Sequence, residues 1–226
     1  MIFTFDERPS DSPFVERIWR TQSERTGDFL SIAASHWEMV ISSYHGKTTV
    51  TVRGPETKVT PLDVTLVGTE FFGIVFKLGT VMPYLPASTL VDGDVDLPEA
   101  SSKSFWLNGS AWESPDFENV ETFVDRLVHE DVLVVDPVVK AVLQDQPQAI
   151  SSRTVRRRFL HATGLTHKAI QQIERAQLAA ALLEQGVSIL DAVYQAGYAD
   201  QPHMTRSLKR FSGQTPAQIA RVSQPT

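Results

Sequence analysis

Ser188-Ile-Leu-Asp-Ala-Val-Tyr-Gln-Ala-Gly197-Tyr-Ala-Asp-Gln-Pro-His-Met-Thr-Arg-Ser-Leu-Lys-Arg-Phe211 is the stretch on which the fold turns. It predicts a helix, a turn centred on Gly197 and a second helix opened by Gln201-Pro202, where the missing proline N–H costs nothing. In the second helix Met204, Leu208 and Phe211 fall at i, i+4 and i+7 and form one buried face. The opposite surface offers Gln201, His203, Arg206, Lys209 and Arg210. Apolar residues thus hold the helix on a scaffold while polar residues face outward, the division needed to enter a DNA major groove. Arg pairs bidentately with guanine and Gln with adenine, each contact worth roughly 1–3 kcal/mol. Ser207, Lys209 and Arg210 are placed nearer phosphates, which position without specifying sequence.

Working outward, Gly213 ends this helix, and Thr215-Pro216-Ala217-Gln218 opens a last one with capping-box spacing. Upstream, Ser188 with Asp191 has the same spacing. Thr166 caps a long helix with Ile170, Ile173, Ala176, Ala180 and Leu183 on one stripe, stopped by Gly186. Ser151 or Ser152 caps an earlier helix that runs to about Ala162 and ends at Gly164. There Val155 and Phe159 are the apolar pair, and Arg153, Arg156, Arg157 and Arg158 crowd the rest. One arginine cluster alone is more often a solvated face. Two basic helices joined by a rigid helix favour a polyanion.

The segment 151–220 resembles the DNA-binding domain of AraC-type transcription regulators. The matching positions are Arg157, Phe159 and Gly164 in the first part and Arg175, Ala176 and Leu183 in the linker helix. Ile189, Gly197, Tyr198, Asp200, Gln201, Arg206, Lys209, Arg210, Phe211, Gly213, Thr215 and Pro216 follow. The resemblance covers about a third of the chain. It implies two helix-turn-helix units that enter successive major-groove faces about 34 Å apart. It also implies that Arg153, Arg156 and Arg157 read bases from the first unit, and Gln201, His203 and Arg206 from the second. Two departures stand out. Only Gln144 to Ile150 separates the preceding helix from Ser151, so the Pro137–Leu143 helix must substitute for a positioning helix or the first unit is degenerate. And Val193 occupies the usually small position four before the turn glycine, which suggests altered packing between the two helices.

Charge supports the division. Residues 151–226 hold ten Lys/Arg against four Asp/Glu, a net +6, while the other 150 residues hold eleven against 23, a net −12, within a total of −6. Such asymmetry suggests one part that meets a polyanion and one that does not. Zero cysteines exclude a disulfide framework and any thiolate zinc site. No secretion signal opens the chain and no apolar run approaches the roughly 20 residues of a membrane span, so a cytoplasmic location is expected.

From Ile2 to about Leu97 the texture is β. His36–Ile41, Thr49–Val52, Lys58–Thr60, Val64–Val67 and Phe71–Phe76 read as short strands, with Gly73 marking a bulge or a close backbone approach. Ala100–Ser104 reads as a loop. Helical texture begins near Asn119, and Asp136-Pro137 opens a helix through about Leu143.

The expected fold class is α+β: a β-rich, barrel- or sandwich-like regulatory domain with a trailing helix over residues 1–130, then an all-α double helix-turn-helix domain over 131–226. Trp37, Tyr44, Phe72, Phe76 and Trp106 are the candidate lining of an apolar effector pocket, with a packed core as the alternative. His36, Glu38 and His45 lack a third ligand at recognisable spacing, so no metal is expected. No nucleophile elbow, phosphate loop or dinucleotide fingerprint appears, so neither catalysis nor a cofactor is expected. The expected function is sequence-specific regulation of transcription. The partners are double-stranded DNA, a small-molecule effector, RNA polymerase and, for a homodimer, a second copy. The rivals are an interaction protein with a degenerate DNA-binding module and a barrel-type enzyme fused to a helix-turn-helix.

Overall fold

The computed structural model describes residues 2–222. They form two compact units. One takes the chain up to Asp28 with His36–Pro55 and Asp63–Thr166; the other takes Phe29–Ser35, Glu56–Leu62 and the chain from His167 onward. In chain order the strands are β1 (Asp6–Arg8), β2 (Val15–Gln22), β3 (Gly27–Ser31), β4 (Glu38–Tyr44), β5 (Lys47–Arg53), β6 (Thr60–Val64) and β7 (Glu70–Phe76). Then come β8 (Thr80–Val81), a 3₁₀ turn at Ala87–Thr89, β9 (Asp94–Asp96), β10 (Glu99–Ser101), β11 (Ser104–Leu107) and β12 (Ser110–Glu113). The rest is α1 (Val120–His129), β13 (Val134–Val135), α2 (Pro137–Leu143), α3 (Ser152–Thr163), α4 (His167–Glu184), α5 (Ile189–Gln195), α6 (Gln201–Ser212) and α7 (Pro216–Val222).

The first unit is built on a six-stranded sheet of order β1-β2-β7-β4-β5-β9. β7 is buried from Phe72 to Phe76, as its apolar run demands of a central strand. β5 alternates, with Val50 and Val52 inward. The edges β1 and β9 are three residues each and do not pair with one another among the described residues. The sheet is therefore open: the strand-rich expectation is met, but closure into a barrel is not. Short edges limit the exposed row of unpaired backbone groups. Met39, Ile41, Ile74 and Phe76 share one core with Phe123, Val124 and Leu127 of α1, and full burial of each such side chain contributes roughly 1.5–3 kcal/mol. Arg8 ties β1 to α1 through its hydrogen bonds to Glu121, 2.8 and 3.2 Å long; with help from Ser10 it holds the Glu121 carboxyl down to about 2 against desolvation.

Gly73 is a close approach and not a bulge. Its register with Val40 and Trp19 is continuous, and a Cβ there would lie 2.1 Å from Cε2 of the Trp19 indole. The irregularity on that side falls between Val15 and Arg17 of β2. The expected loop Ala100–Ser104 is instead a tight hairpin: Ser101 faces Ser104 across Ser102-Lys103, their hydroxyls 2.6 Å apart. Its serines hide the alternation that only becomes visible from Phe105, which is buried, to Trp106, which is exposed. The two runs expected at 58–60 and 64–67 give way to one strand, β6, that straddles them. Pro61 lies inside β6, which pairs only with β3 in a two-stranded ribbon, where a residue without an N–H is tolerated.

α2 starts where the Asp136 carboxylate accepts from the amides of Val138 and Val139. α3 runs from its Ser151 cap to Gly164, left-handed at φ 73°, and packs on α2 and on the 3₁₀ turn. Gly164 permits that contact, since a Cβ would lie 2.9 Å from the Ala87 carbonyl oxygen. In the second unit α4 packs against α5, α6 and α7. Its buried stripe is Ile170, Ile173, Ala176, Ala179 and Leu183, so Ala179 replaces the expected Ala180, which is half-buried. No helix among the described residues is long and apolar enough to cross a membrane.

Candidate nucleic-acid interface

α5 begins at Ser188, whose hydroxyl oxygen accepts from the Asp191 amide (3.2 Å) and donates to the Asp191 carboxylate (2.6 Å). This is half of a capping box, with the acid engaging the hydroxyl and not the Ser188 amide. Five residues, Ala196 to Asp200, separate α5 from α6. Gly197 supplies the left-handed conformation in that turn, at φ 69°. The small residue buried at this junction is Ala192, fully covered, while Val193 is half-buried.

The cap of α6 is Asp200. Its carboxylate accepts from the His203 amide at 2.7 Å, which satisfies an orphan donor and places an anion at the positive end of the helix dipole. Met204 and Leu208 are fully buried and Phe211 nearly so. Gln201, Arg206, Lys209 and Arg210 are exposed on the other side. The helix therefore turns the expected faces inward and outward. His203 is half-buried, its ring edge-on to Tyr198 with centroids 5.1 Å apart. The Arg210 guanidinium lies over the ring of Phe211, 4.9 Å from its centroid.

Two residues of this site escape a reading by helical period. Tyr198 shares a hydrogen bond with the Ser207 hydroxyl (2.8 Å), so Ser207, expected near phosphate, is engaged with the turn. The Arg175 guanidinium of α4 lies 4.8 Å from the Tyr198 ring centroid, and its Nη1 donates to the Gly197 carbonyl at 3.5 Å. Arg175 and Tyr198 thus brace the turn from the linker helix. Their only sequence signal is their place in the family pattern.

In the other unit Arg153, Arg156 and Arg157 of α3 are all exposed. Their i, i+3, i+4 spacing sets them on one helix face. Arg158 turns aside to Asp136, 3.1 Å away, linking α3 to the cap of α2. The helix expected to substitute as positioning helix, α2, does pack on α3, but the connection Gln144–Ser151 is eight residues long against five in the second pair.

Of the five aromatic residues proposed for an effector pocket, Trp37, Phe72 and Phe76 share one packed core, and Tyr44 and Trp106 lie outside it. Trp37 and Phe76 stack on each other in the core, centroids 4.0 Å apart, with the indole N–H donating to the Thr80 carbonyl. Phe72 is buried on the same sheet. Tyr44 closes the far end of β4, against His45, about 20 Å along an extended strand from Trp37. Trp106 is 47% exposed on the hairpin. Of these five, three are packing residues and two lie elsewhere. Glu38, once a metal candidate, accepts from the Trp19 indole N–H at 2.9 Å and pairs with Arg53 at 3.5 Å.

A family profile described as a helix-turn-helix domain matches residues 148–221. The HTH-type transcriptional regulator RipA of Corynebacterium glutamicum is 33% identical over 88 residues, 38% of this chain; the chain spans 27% of that relative's length. Among solved structures, ToxT of Vibrio cholerae O395 aligns over 98% of this chain and 99% of its own, at 10% identity and a TM-score of 0.43. Unsaturated fatty acid bound wild-type ToxT of Vibrio cholerae strain SCE256 aligns over 96% and 94%, at 8% identity and a TM-score of 0.38. The motif residues, the helix pair they build and the matched segment agree: residues 148–221 carry a helix-turn-helix domain, in the stretch that resembles the AraC-type DNA-binding domain.

Proposed function

We propose that this protein is a sequence-specific DNA-binding regulator of transcription and not an enzyme. One observation carries the reading: α6 is seated by Met204, Leu208 and Phe211 and presents Gln201, Arg206, Lys209 and Arg210 outward. In this reading Gln201, His203 and Arg206 meet base edges, and Lys209 and Arg210 meet phosphates. Arg153, Arg156 and Arg157 form a second contact face, on α3. The functional DNA-binding module, residues 131–226, draws on both compact units, because compactness groups residues by contact and not by role. The strand-rich unit is the place for a small-molecule effector, without the five aromatic residues as its pocket. A cytoplasmic location, a homodimer and contact with RNA polymerase go with this role.

Selection of bound duplexes from random DNA tests it. A consensus should emerge, and affinity for it should fall steeply as salt rises, with a log–log slope of about −0.9 per phosphate neutralised. Binding nearly independent of salt, or no consensus, ends the reading.

A second reading rests on the eight-residue connection ahead of α3. If α2 and α3 make no groove contact, the first unit serves protein interaction, and variants at Arg153, Arg156 and Arg157 leave DNA affinity untouched.

A further inference from the structure

A helix cannot satisfy its last four carbonyls by itself. At the end of α6 two of these find partners from far away in sequence. The Phe211 carbonyl accepts from the Ala33 amide at 2.8 Å, and the Arg210 carbonyl from the Val59 amide at 3.1 Å. Ala33 follows β3 and Val59 precedes β6, so both donors flank the two-stranded ribbon, in the segments Phe29–Ser35 and Glu56–Leu62 that belong to the second compact unit. The ribbon is closed by a backbone pair between Ala34 and Glu56 (3.1 and 2.9 Å) and by Ser31 donating to the Glu56 carboxylate at 2.6 Å. It is held to α4 as well: Gln177 Nε2 donates to the Ala33 carbonyl at 3.0 Å, across 144 positions of sequence. Gly213, left-handed at φ 74°, lies under it, and a Cβ there would come 3.2 Å from Leu30 and 3.3 Å from Val59.

A C-terminal cap made of remote backbone has two consequences. It fixes the end of the recognition helix independently of the Gly197 turn at its other end. It also makes that end depend on strand pairing, and an isolated two-stranded ribbon is marginal. A slip by one residue would turn its side chains over and withdraw both amides. The chain enters and leaves these two segments at residues 28–29, 35–36, 55–56 and 62–63, directly from the strand-rich unit.

We propose that the β3–β6 ribbon is a coupling element: it completes the DNA-reading unit by capping α6, and a signal that shifts the ribbon changes operator affinity through that cap. This rests on the regulator reading above.

The test uses the full chain, hydrogen exchange by NMR and a duplex chosen by selection from random DNA. Ala33→Pro deletes the donor to Phe211. Gln177→Leu is milder: it removes the support of the Ala33 carbonyl and leaves ribbon backbone and α6 intact. In the wild type the Ala33 and Val59 amides should be protected. Gln177→Leu should lose protection at both amides and Ala33→Pro at Val59, the one of the two that it keeps, and both should bind the duplex about two- to tenfold more weakly. The salt slope should not change, because no phosphate contact is removed. Unprotected Ala33 and Val59 amides in the wild type overturn the cap. A Gln177→Leu protein that loses protection yet binds as the wild type overturns the coupling, as does a lowered salt slope; this variant decides the matter if Ala33→Pro does not fold. A wild type that selects no duplex overturns the regulator reading and the coupling role together, whereas amide protection still reports on the cap.

Discussion

The two helix pairs, α2–α3 and α5–α6, carry the same kind of cargo on different scaffolds. Each ends in a helix with a basic outer face and a buried aromatic: Phe159 in α3 and Phe211 in α6. α6 is reached through a five-residue turn, is capped by Asp200 and is seated among helices. α3 is reached through eight residues and packs on α2 and on the 3₁₀ turn of the strand-rich unit. The outer face of each basic helix is thus set by helical period alone, whereas what holds the helix can be either a helical bundle or a piece of the strand-rich unit. α3 belongs to the strand-rich unit, so a signal there has direct access to it, whereas α6 belongs to the other unit.

The largest effect separates the two scaffolds. Leu208→Ala empties a fully buried site in α6 and should cost about 2–5 kcal/mol. All four tryptophans, at 19, 37, 106 and 112, lie in the strand-rich unit, so indole fluorescence reports that unit while far-UV circular dichroism weights the helices. The helical transition should move to lower denaturant with the fluorescence transition in place, and DNA binding should be lost. If both transitions shift together, the two units unfold as one and the contrast of scaffolds has no energetic meaning.

Next in size, Arg206→Ala should lose about 1–3 kcal/mol on the selected sequence and far less on random DNA. Equal loss on both would move Arg206 from base reading to the phosphate class. Asp200→Ala and Ser151→Ala then compare the caps of α6 and α3. Each deletes one side-chain acceptor for a backbone amide, 2.7 Å long in α6 and 3.2 Å in α3, and should destabilise by about 0.5–2 kcal/mol, Asp200 the more because its charge also meets the helix dipole. Denaturant melts of the two variants check the order.

What the sequence made legible here is local. Asp136, Ser151 and Ser188 announced helix starts through side chains that bond within three residues, and Gly164 and Gly213 announced ends through their left-handed backbone. The exposed set Gln201, Arg206, Lys209 and Arg210 followed from a 3.6-residue period. What stayed hidden is tertiary. Nothing in Phe29–Ser35 or Glu56–Leu62 says that these segments belong with helices starting at residue 167, because the hydrogen bonds of Ala33 and Val59 become visible only when α6 is in place. Ser207 read as a phosphate contact until Tyr198, from the turn, claimed its hydroxyl. Trp37 and Phe76 read as pocket lining because core and pocket use the same aromatic residues; only their mutual stacking tells them apart.

The smallest expected effects lie side by side on α3. Arg157 is exposed and Arg158 is paired with Asp136 at 3.1 Å, with side chains 44% and 15% exposed. With its arginine this open to water the pair is worth about 0–1 kcal/mol, and Asp136 keeps its cap bonds to Val138 and Val139 without it. Arg158→Ala should therefore leave both stability and DNA affinity nearly unchanged. Arg157→Ala, one residue earlier, should weaken binding and reduce the salt slope by about one phosphate's worth, since its side chain points to the face shared with Arg153 and Arg156. Equal losses from the two variants would make α3 a diffuse basic surface and not an oriented one. No loss from either would reduce the DNA reader to α5–α6, and would leave α3 as the part of the pair that serves its own unit.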